Sequence, residues 1–89
     1  MSLPPRPLPN PGPVLAGLYR DICDAYDAGG LGAVTTERPA YYISHPPLRL
    51  DIIDPRDGST AETQGGTRAQ LEAWAHRRVA QMREQIATA

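Results

Sequence analysis

Six of the ten prolines in this chain fall between Pro4 and Pro13, in a leader reading Met1-Ser2-Leu3-Pro4-Pro5-Arg6-Pro7-Leu8-Pro9-Asn10-Pro11-Gly12-Pro13. Alternating prolines hold φ near the polyproline value and remove backbone donors, so the stretch can neither continue a helix nor enter a central strand. It reads as an extended arm over residues 1–12, ahead of a single domain over residues 13–89. Such an arm needs a surface to rest on. Arg6-Pro7-Leu8-Pro9 matches the front of a proline-rich ligand for an aromatic groove, although Gly12 stands where proline would complete the motif. Arg6, Leu8 and Pro9 are therefore the arm's candidate partner contacts.

The remainder is small enough that its core must be thin. A formal charge of -1, with the charges dispersed, argues against nucleic acid or an acidic membrane as a general partner. Cys23 is the only cysteine, which excludes an internal disulfide framework and a multi-cysteine metal site. No metal or cofactor is expected. No run reaches the apolar length of a spanning helix, and the N-terminus lacks the basic-then-apolar order of a signal peptide. The expected location is the cytoplasm, or a virion assembled there. Nine arginines stand beside no lysine, and Gly, Ala, Arg and Pro dominate. Their codons are GC-rich, which points to a high-GC bacterium or its phage.

Val14, Leu15, Leu18, Tyr19, Ile22, Ala25 and Tyr26 recur at helical spacing between Pro13 and the stop at Gly29-Gly30. The first helix is expected from Pro13 to Ala28, with an apolar arc wide enough to touch two surfaces. Ala40 to His45 and Leu48 to Asp54 read as two strands, and Asp54-Pro55-Arg56-Asp57-Gly58 as a turn. Ser59 to Thr63 is the expected third, edge strand; Leu31 to Thr35 is a poorer candidate. Thr67 and Gln70 form a capping box for a second helix to Thr88, with Leu71, Trp74, Ala75, Val79, Met82 and Ile86 as its core stripe. That helix is longer than the sheet it covers, so part of it is expected to project. The fold class is α+β: a three-stranded antiparallel sheet with two helices, in the order α-β-β-β-α, behind the Pro-rich arm.

Opposite the core stripe, Ala73, Ala80 and Ala87 recur every seven residues, with Ala69 beside them, and would let another helix approach closely. Asp21, Asp24 and Asp27 line up on the first helix, the last two near its C-terminus, where carboxylates oppose the macrodipole. Arg78, which interrupts the apolar stripe of the second helix, is the cation expected to pair with Asp24 or Asp27. Asp51, Asp54 and Asp57 fail calcium-loop spacing and read as turn and surface residues. His76, four after Glu72, reads as half of a surface pair.

The order α-β-β-β-α is similar to that of double-stranded RNA-binding domains and of the HicA toxin ribonucleases that resemble them. Ser44-His45 resembles the Gly-Ser-His-His turn of the latter, with Ile43 in place of the glycine and Pro46 in place of the second histidine. Thr67-Arg68-Ala69-Gln70-Leu71 carries one charge where those families have a lysine-rich helix start. The likeness is one of topology, which does not carry function.

The expected function is that of a non-enzymatic structural or assembly protein. It would dock into a homo- or hetero-oligomeric complex through its arm and helix faces, most concretely as a phage virion component in the head, connector or tail. The alternatives are a small regulatory or inhibitory protein of the anti-defence or antitoxin type, binding one host enzyme, and a nucleic-acid binder using Arg49, Arg56, Arg68, Arg77, Arg78 and Arg83. Last comes an enzyme built on His45.

Overall fold

A computed structural model describes residues 12–39 and 48–87. The elements are α1 (Gly12–Gly29), a 3-10 turn (Leu31–Ala33), β1 (Thr35–Pro39), β2 (Leu48–Ile53), β3 (Thr60–Gly66) and α2 (Arg68–Ala87). The strands form one antiparallel sheet in the order β1-β2-β3. The expected α-β-β-β-α class is therefore the observed one. The first strand differs: the segment paired with β2 is Thr35–Pro39, and Ala40 to His45 lies outside the described residues.

Both helices lie on one face of the sheet. Alternation along β2 sends Leu50 against Leu71 and Ala75 of α2, and Ile52 into a cluster with Ile22 and Cys23 of α1, Val34, and Val79 and Met82 of α2. The C-terminal half of α2 does not overhang. It is covered by α1, and Met82 and Gln85 are buried there.

Two glycines stop α1 for different reasons. Gly30 has φ +74°, which side-chain-bearing residues resist, while a Cβ on Gly29 would stand 2.9 Å from Ala33 Cβ, where the 3-10 turn folds back. At the sheet's far end, the Asp54 carboxylate accepts from Arg56 N at 2.9 Å and Gly58 N donates to Asp54 O at 2.8 Å, building the expected turn. β3 then continues through Gly65 and Gly66, beyond its expected end at Thr63. Gly66 is buried and a Cβ there would meet Gln70 Oε1 at 3.0 Å, so glycine lets the strand pass beneath the start of α2. The capping box forms: Gln70 N donates to Thr67 Oγ1 at 3.2 Å and Thr67 N to Gln70 Oε1 at 3.1 Å.

Arg78 pairs with neither Asp24 nor Asp27. Its Nε donates to Glu62 Oε1 on β3 at 2.6 Å and its Nη2 to Glu62 Oε2, a two-pronged contact in which the side chains are only 21 % and 25 % exposed. The physical reason is position around α2. Arg78 leaves on the flank that faces β3, whereas Arg83, on the other flank, takes Asp27 with Nη2–Oδ1 at 2.7 Å. Asp24 is exposed and has no ion pair among the described residues.

Arg78→Ala should cost about 1–2 kcal/mol, because it leaves a half-buried carboxylate without its partner. Urea unfolding should show the same loss in an Asp27→Asn background and a much smaller one in a Glu62→Gln background.

Candidate interaction surface

Contacts between the two helices hold α1 in place. The Arg78 guanidinium is held charged chiefly by its hydrogen bonds with Glu62. On the opposite flank of α2 the Tyr26 hydroxyl meets His76 Nδ1 at 2.7 Å, and Asp27 meets Arg83. Val14, 85 % exposed, and Leu15, 44 % exposed, stand on the first turn of α1. These two side chains stay outside the core, while Ala16, Ile22 and Cys23 further along the helix are buried.

A groove of about 320 Å³ lies between the end of β3 and the start of α2, lined by Gln64, Gly65, Gln70, Leu71, Trp74 and Arg77. On the β1 side of α2, a second groove holds Glu37 and Glu72 beside Leu31 and Leu50. Glu72 thus faces a cleft, and His76 takes Tyr26 as its partner rather than Glu72.

The expected contact residues are placed unevenly. Arg6, Leu8 and Pro9 lie outside the described residues, as does His45. Ala73, Ala80 and Ala87, with Ala69, are exposed along α2. Of the six arginines considered for nucleic acid, Arg56 is held by Asp54 and Asp21, Arg68 by Glu37, Arg78 by Glu62 and Arg83 by Asp27. Arg49 and Arg77 have no carboxylate partner among the described residues.

Asp51 is not a surface residue. It is 2 % exposed in the middle of β2, where Arg38 Nη2 lies 2.7 Å from Oδ2, Thr63 Oγ1 donates to Oδ1 at 2.7 Å, and Thr60 Oγ1 lies 3.4 Å from Oδ2. One carboxylate thereby ties all three strands together on the face away from the helices. It also offsets the repulsion expected between Arg38 and Arg49, which are direct cross-strand neighbours. Sequence reasoning missed it because the residues that satisfy Asp51 come from two other strands, and only the register brings them together.

Cys23 donates to Val79 O at 3.8 Å, and burial pushes its thiol pKa up, so the group stays protonated and serves packing. Among the described residues no cluster of histidine, cysteine and carboxylate side chains is arranged to hold a metal ion, and no helix is long and apolar enough to cross a membrane. No protein-family model, curated protein or solved structure matches the chain.

Asp27, Asp54 and Asp57 are held below the usual carboxylate range, chiefly by hydrogen bonds from Arg83, Arg56 and Ser59 respectively. A depressed folded pKa adds stability that is present above the unfolded value of about 4 and lost as pH falls through the folded value. Melting temperature should therefore drop on acidification below about pH 4, and less steeply in Asp27→Asn, which has one such group fewer.

Proposed function

We propose that this protein is a non-enzymatic assembly component that docks into a larger protein complex. The observation that carries the proposal is the exposed pair Val14 and Leu15, at the start of a well-packed helix and directly after the Pro-rich leader. A leader that cannot form a helix or a central strand, joined to an unburied apolar turn, makes one continuous contact region. The free alanine face of α2 offers a second place for close helix approach.

The electrostatics favour protein over nucleic acid as the partner. Four of the six candidate arginines already hold carboxylates, which leaves little unneutralised positive charge for a phosphate backbone. Small size, the arm and the high-GC composition make a phage virion component the most concrete form of the proposal. Its place would be in the head, connector or tail.

Deleting residues 1–11, or substituting Leu15→Asp, should leave the melting temperature within a few degrees of wild type while lowering the associated mass seen by light scattering. Unchanged association in both variants would overturn the proposal. A monomer that forms a stoichiometric complex with one enzyme would instead support the regulatory alternative.

A further inference from the structure

Both helices cover one face of the sheet, so the outward side chains of the strands form a separate surface. By alternation that surface holds Thr36 and Arg38 from β1, Arg49, Asp51 and Ile53 from β2, and Thr63 and Gly65 from β3. Glu37 and Glu62 point the other way, to Arg68 and Arg78 of α2. Asp51 is therefore the one carboxylate on the outward face among the described strand residues, and it stands beside two arginines.

Arg38 and Arg49 are direct cross-strand partners, an arrangement in which like charges repel. Chains break such local rules mainly at functional or strained sites. Both side chains converge on the same buried group. Arg38 Nη2 lies 2.7 Å from Asp51 Oδ2, and Arg49 Nη2 donates at 3.5 Å to Thr63 Oγ1, the hydroxyl that itself donates to Asp51 Oδ1 at 2.7 Å. Asp51 is 2 % exposed and also holds the Thr60 hydroxyl, so its single charge balances one guanidinium and leaves the second uncompensated. Each guanidinium carries five N–H donors. Arg38 sets one nitrogen on a carboxylate and Arg49 one on a hydroxyl, and neither has a further polar partner among the described residues. Gly65, opposite Arg49 on β3, adds neither side chain nor charge.

We propose that Arg38 and Arg49 together bind one oxyanion group, a phosphate or a carboxylate, on the outward face of the sheet. Guanidinium forks match the paired oxygens of such groups, and the bound anion supplies the negative charge that the pair lacks. Asp51 and Thr63 hold the two side chains in place before the ligand arrives, which lowers the cost of ordering them. One surplus charge suits a single anionic group and is too little for a nucleic-acid backbone, whose binding takes several cations. The site lies on the face opposite α1, so its failure leaves docking through Val14 and Leu15 standing.

The test is a titration of the full chain with inorganic phosphate and, separately, with acetate, each against sodium chloride at equal ionic strength. Arginine Nε–Hε NMR signals and the melting temperature are the readouts. The expected result is a saturable shift at Arg38 and Arg49 with at least one probe, together with a rise in melting temperature, and the tighter probe identifies the group bound. Arg49→Gln should weaken binding by about tenfold or more. It should leave the melting temperature without ligand unchanged or higher, because it also relieves the cross-strand repulsion. Arg77→Gln, at an exposed arginine of α2 that also has no carboxylate partner among the described residues, should bind as wild type does. No saturable shift with either probe, or binding that survives Arg49→Gln, would overturn the proposal.

Discussion

The described fold depends on the packing around Ile52. This fully buried side chain meets Ile22 and Cys23 from α1, Val34 after the 3-10 turn, and Val79 and Met82 from α2, with Ala61 of β3 at the margin. Only β1 contributes nothing to that cluster. In so small a domain, with about 60% of the unfolded surface buried, the other buried cluster among the described residues is the smaller one of Leu50, Leu71 and Ala75. Polar ties run around the perimeter. Arg68–Glu37 and Arg78–Glu62 fasten α2 to both edge strands, Asp27–Arg83 fastens the two helices, and Asp51 joins the strands from the opposite face.

The parts legible in sequence were those set by local rules. Both helices follow from apolar spacing and their stops, the second with its capping box. β2 follows from alternation, and the turn after it from Asp-Pro and Gly chemistry. β1 was hidden because Thr35-Thr36-Glu37-Arg38-Pro39 is a mostly exposed edge strand with no apolar alternation, whereas Ala40-Tyr41-Tyr42-Ile43 carries the stronger strand propensity. β3 ran on through two glycines because pairing with Arg49 and Leu48 of β2, rather than propensity, decides that position.

The polar errors share a cause. Helical spacing showed that Arg78 breaks an apolar stripe, but not which neighbour would lie on its flank; the partner is fixed by the sheet, and it is Glu62. Asp51 looked like one of three turn aspartates, yet its burial depends on Arg38 and Thr63, brought alongside by strand register. Pairings across elements need the third dimension, and no periodicity in the chain encodes them. The contact surface was half legible. The wide arc of α1 was visible as a surplus, but that the unburied part is Val14 and Leu15 follows only from how α1 packs.

The central proposal is docking through the start of α1. The most direct test is a dilution series followed by backbone amide NMR on the full chain. The account predicts concentration-dependent shifts centred on Val14 and Leu15. Spectra that do not change with concentration, or shifts that leave Val14 and Leu15 unmoved, would contradict it.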